Sequence, residues 1–415
     1  MNTIQNLLIK TNSIVEKYNE LLDNTGGRFN VFKIIGLETQ ETRLHSAFLA
    51  ELLNPCGSHG LREKPLNAFI KHCIDDNFEF ETNQALCTPE YYIGPLTDTT
   101  GGRIDIIIKD QMKRSIIIEN KINAGDQQYQ MLRYHNHSKN YISSQLIYLS
   151  LDGKSPTSYS TGGIEFAYKP ISYKYDIINW LTECKSIAVD FPLVREALTH
   201  YINLIKQLTN TSTMDKMKND IVSLIMRSTE NIQSAFELEK ALSDVKIKLQ
   251  WEFWTELETA LRNRGVNIKG EDDPKKVKFN KVQGYYEKQR NKDTHYGLWC
   301  EIYNKDGITI HWGCEIESNI YWGFTIERNG IGNISDNDEF KIYRDIVREC
   351  DERYQLDSND WLGWQYPTPK LNFGEFNSDE IFALTEKHNL EKTVSQIAEK
   401  VSADIRFVQN KLNEK

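Results

Sequence analysis

Two isoleucine-rich runs, RIDIII at residues 103–108 and SIIIENKI at residues 115–122, flank the short polar break KDQMKR and constrain this chain more than any other stretch. β-Branched side chains lose rotamer freedom in a helix and pack well on a pleated surface, so both runs read as strands. A break that short between two strands is a hairpin. With the turn centred on Met112, Ile108 faces Ile116, Ile106 faces Ile118 and Asp105 faces Glu119. Directly opposed Cβ atoms stand roughly 4.5 to 5.5 Å apart, where two like charges repel unless something positive sits between them. Alternation along a strand puts Lys121 on the face of Asp105 and Glu119 and turns Ile106 and Ile118 to the other. Three charged groups converge in an otherwise apolar sheet.

Carboxylate oxygens are hard ligands suited to Mg²⁺ or Mn²⁺, and such an ion polarises a phosphate and lowers the pKa of a bound water. An ammonium beside it orients the attacking water or offsets charge developing at phosphorus. Phosphodiester hydrolysis requires these residue types. The pattern alone also describes the solvated end of an ordinary hairpin, so its surroundings carry the argument.

Those surroundings alternate helix and strand. ETRLHSAFLAELL at residues 41–53 places Leu44, Phe48, Leu49, Leu52 and Leu53 at helical spacing, and Asn54 and Pro55 end it. A second helix is expected over about 64–75. GDQQYQMLRYHNH reads as a helix, SQLIYLSL as a strand, and DIINWLTE and PLVREALTHYINLIKQL as helices. This order describes a mixed α/β domain with a small central sheet flanked by helices. The polar, turn-rich stretch 209–220 suggests a boundary, giving a first domain at 1–209, a helical connector at 210–248 and a second, α+β domain at 249–415. No stretch approaches the ~18 apolar residues needed to cross a bilayer. The seven cysteines are scattered without a CxxC pair, which reads as reduced thiols in a cytoplasmic protein. A net charge of −9 argues against a protein that coats nucleic acid, though a local basic strip can still guide a strand.

Asp105, Glu119, Asn120 and Lys121, with the helix before them, resemble the PD-(D/E)XK nuclease superfamily and its restriction-endonuclease-like fold. Glu41, followed by His45, Ser46, Leu49, Leu52, Leu53, Pro55, His59 and Gly60, is similar to the opening helix of one branch, in which a helix-borne acid completes the metal site. Gln130 and Tyr134, in QMLRY, resemble the QxxxY motif of its RecB-like members, where these residues support the substrate phosphate and the active site. The eponymous proline is absent, since Arg103 and Ile104 precede Asp105. The resemblance implies that Asp105, Glu119 and the backbone carbonyl of Asn120 bind Mg²⁺ or Mn²⁺. Glu41 reaches the same centre directly or through water, and Lys121 is the catalytic cation. Glu38 and Glu51 compete with Glu41, and Gln127 and Gln128 with Gln130. His135 and His137 read as surface residues, while His45 and His59 stay unassigned between scaffold and substrate. The function so implied is a divalent-metal-dependent nuclease acting on DNA in preference to RNA, in bacterial defence or DNA processing, with a homo-oligomer or a regulatory protein as further partners. An RNA-cleaving enzyme of the same fold and a non-cleaving binding module remain open.

The resemblance spans roughly residues 30–205. Beyond it, KKVKFNKVQGYYEKQRNK at residues 275–292 holds seven basic residues and one acid. Lys275, Lys276, Lys278, Lys281, Tyr285, Tyr286, Lys288 and Arg290 are its candidate nucleic-acid contacts, with cations for phosphates and rings for bases. A solvated loop guarded by lysines is the plainer reading. Trp299, Trp312 and Trp322 on the following strands are expected in a core, and Trp361 and Trp364 either line a pocket or pack. A recognition or regulatory role is expected of this half.

Overall fold

The computed structural model describes residues 3–75, 77–288, 290, 292–356 and 358–414. The chain divides into two compact units, Met1–Ile232 and Gln233–Lys415. Among the described residues no helix is long and apolar enough to cross a membrane.

The first unit opens with helix α1 (Thr3–Thr25) and the short α2 (Val31–Ile34), which Asn30 caps through its side chain. A π-helical turn at Glu41–Ser46 runs into α3 (Ala47–Leu53), and α4 (Lys64–Phe69) continues through another at Ile70–Ile74. Strands β1 (Leu86–Tyr92), β2 (Arg103–Lys109) and β3 (Arg114–Lys121) follow, then α5 (Gln130–Ser138), β4 (Ser143–Ser150), α6 (Ser158–Thr161) and β5 (Lys169–Ser172). Helices α7 (Ile178–Ile187), α8 (Pro192–Leu208) and α9 (Thr213–Ile225) complete it. The sheet order is β1-β2-β3-β4-β5, antiparallel across the first three strands and parallel across the last three.

The isoleucine runs are continuous because both faces of the sheet are covered. Ile106, Ile108, Ile116 and Ile118 pack with Leu52 and Leu53 of α3, Trp180 of α7 and Tyr201 of α8. Ile107 and Ile117 pack on the opposite face with Met131 and Tyr134 of α5. Fully burying each such side chain contributes on the order of 2 kcal/mol, enough in sum to hold charged groups at the end of the same strands.

Residues 209–220 are mostly helical rather than turn. Ser212 Oγ accepts the Asp215 N–H at 3.2 Å while Asp215 Oδ2 accepts the Ser212 N–H at 3.0 Å, a capping box that starts α9. α9 packs on α1, where the Tyr18 hydroxyl donates to Asp220 Oδ2 at 2.8 Å. Helix α10 (Thr229–Arg262) spans the division between the units.

The second unit adds α11 (Phe279–Glu287), the strands β6 (Gly297–Lys305), β7 (Ile308–Ile316) and β8 (Ile320–Arg328), α12 (Lys341–Cys350), β9 (Gly363–Gln365), α13 (Asp379–Ala383) and α14 (Lys387–Asn413). Its sheet is antiparallel, in the order β6-β7-β8-β9. Trp312, Cys314, Trp322 and Phe324 enter a core with Phe253, Trp254 and Leu257 of α10 and Val401 and Ile405 of α14. Trp299 is buried as expected, at 4% exposure, but on the other face of the sheet. It pairs across β6 and β7 with Gly313, on the face opposite Trp312, and its ring stacks on Trp361 at 5.6 Å between centroids.

The capping box predicts that Ser212→Ala costs about 1 kcal/mol, seen as a lower unfolding midpoint for the first unit, whereas Ser212→Asp leaves it nearly unchanged.

Candidate active site

β2 and β3 pair in the register read from the sequence, Ile106 with Ile118, Ile107 with Ile117 and Ile108 with Ile116. Just past Ile106 the ladder gives way to a side-chain contact, and Asp105 Oδ2 accepts the backbone N–H of Asn120 at 2.7 Å. Glu119 is fully buried and Lys121 is 6% exposed, with Lys121 Nζ 2.6 Å from Glu119 Oε1. That contact is an ion pair, and no hydrogen bond reaches Glu119 Oε2. All three side chains line one cleft of about 450 Å³ on the α5 side of the sheet.

Burial dominates the electrostatics here. It pushes the Asp105 carboxyl up to about 6, against the opposing pull of the Asn120 N–H and Lys121 and with help from Glu90. Burial also raises the Glu119 carboxyl well above the usual range; the neighbouring Asp105 adds to this and Lys121 offsets it only in part. Burial would lower the Lys121 ammonium, but Glu119 and Asp105 outweigh it and hold the group above its ordinary value. Two acids thus share one ammonium in a poorly solvated place. Glu119 Oε2, which no hydrogen bond reaches, suits a hard divalent cation. Asp105 and Glu119 stand as a pair, because among the described residues no three acids, histidines or cysteines form a ready metal cage.

Helix α5 holds the ammonium in place. Lys121 Nζ donates to Gln130 Oε1 at 3.1 Å, Gln130 Nε2 donates to the Tyr134 hydroxyl at 3.2 Å, and that hydroxyl donates to the carbonyl of Arg103. Gln130 and Tyr134 lie one helical turn apart, so a single helix face ties β3 to β2 beside the acids. Glu41 grips the chain leaving β3: its Oε1 accepts the backbone N–H groups of Ile122, Asn123 and Ala124 at 2.6, 2.8 and 2.9 Å. Its carboxylate also borders the cleft. The Asn120 side chain is anchored away from the acids, accepting from the Tyr173 hydroxyl at 2.8 Å and donating to Ser46 Oγ at 3.0 Å.

Of the other acids and histidines weighed from the sequence, Glu51, His45, His59 and His135 have scaffold partners, whereas Glu38 Oε2 is buried without a hydrogen-bond partner. Glu51 Oε1 accepts from the N–H and hydroxyl of Ser58 at 2.5 and 2.7 Å, stapling the loop after α3. His45 Nε2 donates to the Glu38 carbonyl at 3.1 Å and its Nδ1 accepts from the Tyr201 hydroxyl at 2.9 Å; burial holds this ring down at about 4. His59 Nδ1 accepts from the Leu61 N–H at 2.9 Å. His135 stacks on Phe166.

Sequence reasoning passed over Glu90. In the register of β1 with β2, Pro89 pairs with Ile106 and Tyr91 with Ile104, which sets Glu90 opposite Asp105. Its Oε1 is buried without a hydrogen-bond partner, and its backbone takes a left-handed φ of 51°. Pro89 disguised this strand. The signal was an acid alternating with Thr88 in an otherwise β-prone CTPEYY.

In the second unit the basic strip is largely spoken for. Lys276 is 3% exposed and pairs with Glu258, Lys281 donates to the Pro274 carbonyl, and Lys288 pairs with Asp293 at 2.9 Å. The hydroxyls of Tyr285 and Tyr286 donate to the carbonyls of Glu317 and Phe373. Lys275 lies over the Trp299 ring at 4.1 Å, while Lys278 is half-buried and Arg290 exposed.

A family profile described as the PD-(D/E)XK nuclease superfamily matches residues 29–203. No curated protein and no solved structure matches the chain.

The raised Asp105 carboxyl makes a linkage prediction for metal-free protein. Its folded value of about 6 exceeds the ordinary 3.8, so its contribution to stability is fully present below 3.8 and is lost as pH rises through 6. Asp105→Asn should therefore unfold at a higher temperature than wild type at pH 7.5, with the gap closing towards pH 4. Divalent cation should raise the wild-type midpoint at pH 7.5 and leave the variant's unmoved.

Proposed function

Because the chain carries a PD-(D/E)XK nuclease superfamily domain at residues 29–203, we propose that its first unit is a divalent-metal-dependent nuclease that hydrolyses phosphodiester bonds, with DNA as the favoured substrate and bacterial defence or DNA processing as the setting. The observation that carries the reading is the pair of strand-borne acids, Asp105 and Glu119, held together beside a single ammonium. Such an arrangement is costly for a protein to keep unless a cation and a phosphate complete it.

Asp105, Glu119 and the backbone carbonyl of Asn120 would hold Mg²⁺ or Mn²⁺, with Glu41 and Glu90 reaching it directly or through water. When bound, the ion supplies Lewis-acid stabilisation of the phosphate and a water of lowered pKa. Lys121 carries the charge that balances the pentacoordinate phosphorus. Gln130 and Tyr134 are positioning residues in this account, as the RecB-like QxxxY reading implies: they fix where the ammonium can stand. Arg103 and Arg133 border the same cleft and would meet flanking phosphates. Glu41 keeps the exit of β3 in register, so its loss should disturb both metal and Lys121.

The test uses wild type, Asp105→Ala and Lys121→Ala with linear, circular and single-stranded DNA and with RNA, with and without Mg²⁺ or Mn²⁺. Metal-dependent cutting that drops by roughly 100-fold or more in both variants is expected. Equal cutting by all three proteins would mark a contaminant and remove the proposal. Tyr134→Phe should lower kcat about 10-fold with little change in KM, because it loosens the group acting in the transition state rather than substrate contacts. Glu90→Gln should weaken Mn²⁺ binding, measured by calorimetry, by about 10-fold.

A further inference from the structure

The outward face of the second unit's sheet is built around a row that runs across all four strands. Trp299 pairs with Gly313, Gly313 with Gly323, and Gly323 with Trp364. The two glycines leave room for rings to lie on the sheet. A Cβ on Gly313 would stand 2.6 Å from the Trp299 ring, and one on Gly323 would stand 2.8 Å from that of Trp361. Trp299 and Trp361 stack at 28°, and Tyr321 meets Trp361 edge-on at 5.7 Å. Together they wall a cleft of about 550 Å³, within the usual size of small-ligand sites.

Polar groups converge in the same cleft. The Glu315 side chain is 6% exposed; its Oε2 accepts from the Tyr321 hydroxyl at 3.1 Å, and no hydrogen bond reaches its Oε1 among the described residues. The His311 side chain is 9% exposed, and the nearest charged oxygens, on Glu301 and Glu327, are 3.9 Å away, beyond hydrogen-bond reach. Burial, then Lys269, holds that ring below its ordinary value, which leaves it one donor and one acceptor nitrogen. At the rim stand the ammonium groups of Lys269, 3.5 Å from Asp273 Oδ2, and of Lys275, over the Trp299 ring, with the carboxylates of Asp273, Glu327 and Asp360 on the same lining. A fatty ligand would have no use for the acid. Flat walls, a deep acceptor, an imidazole and rim cations together match a planar, hydrogen-bonding ring joined to a phosphate.

We propose that this cleft binds one unstacked nucleobase of a single strand, its edge on Glu315 and His311, its ring against the Trp299 and Trp361 wall, and its backbone towards Lys269 and Lys275. Guanine fits best, because its N1–H and N2–H lie side by side and both can donate to one carboxylate. The choice of a nucleic-acid occupant rests on the nuclease reading of the first unit; the polar and aromatic geometry does not.

The experiment titrates the full chain bearing Lys121→Ala, in chelator so that nothing is cut, with trinucleotides of DNA and RNA whose central base is guanine, adenine, cytosine or thymine (uracil). Binding is read by tryptophan fluorescence and calorimetry. Central guanine should bind at least ~10-fold more tightly than central thymine or uracil, and adding Glu315→Gln should remove that preference, consistent with ~1–3 kcal/mol for a bidentate contact. Trp361→Leu, with folding checked by its thermal midpoint, should weaken every trinucleotide. Indifference of binding to Glu315→Gln overturns the proposal. So does a response only to an arginine or trimethyllysine peptide, which would reassign the cleft to a cationic side chain. If no trinucleotide binds while wild type still cuts in a Lys121-dependent way, this proposal falls and the nuclease reading stands. Guanine-selective binding by a chain that cuts nothing would do the reverse.

Discussion

Two carboxylates and one ammonium, drawn together where β2 and β3 part, are the constraint on which the first unit is organised. Water would relieve such a cluster at once, so the fold must keep water out and still leave one side open to a cleft. The isoleucines of β2 and β3 do the first, packed on both faces by helices. The departure of the strands after Ile106 does the second, because Asp105 turns from ladder partner to acceptor of the Asn120 N–H. The cluster is thereby held one residue beyond the β2–β3 ladder, while β3 stays paired with β4 through Lys121 and gives it a rigid base.

Each neighbouring device answers a specific weakness of that arrangement. An ammonium on a long flexible stem needs a fixed partner, and the chain of hydrogen bonds through Gln130 and Tyr134 to the Arg103 carbonyl supplies it. Backbone N–H groups just past a strand end need acceptors, and one oxygen of Glu41 serves three of them. Asn120 sits between two charged residues yet sends its amide to Tyr173 and Ser46, which ties the sheet to the opening helix and orients its backbone. Charge placement and rigidity are thus coupled: the same contacts that place the charges also join β2, β3, α5 and the segment before α3.

Much of this was legible in the sequence because it follows from period and register. A hairpin with a known turn centre fixes which acids oppose each other, and a Gln four residues before a Tyr fixes a helix face. What escaped notice depended on features that local pattern conceals. Pro89 masked β1 and with it Glu90, whose place opposite Asp105 only pairing reveals. The polar string before α9 looked like a linker, although Ser212 and Asp215 form the cap that begins a helix. Trp299 and Trp312 both look like core residues in a row of aromatic strands; only their strand pairing shows that they occupy opposite faces. The lysine count at residues 275–292 likewise overstates the free charge, since Glu258 and the Pro274 carbonyl already engage two of those cations.

The central claim is that Asp105 and Glu119, buried side by side against the single ammonium of Lys121, keep carboxylate oxygens that a divalent cation can take. Crystals of the protein soaked in Mn²⁺ and measured at its absorption edge test it directly. The account expects one strong anomalous peak roughly 2.0 to 2.3 Å from a carboxylate oxygen of each residue, with Lys121 displaced from Glu119 towards the cleft. A peak elsewhere, or none while the ion pair of Lys121 and Glu119 persists in saturating Mn²⁺, would contradict it.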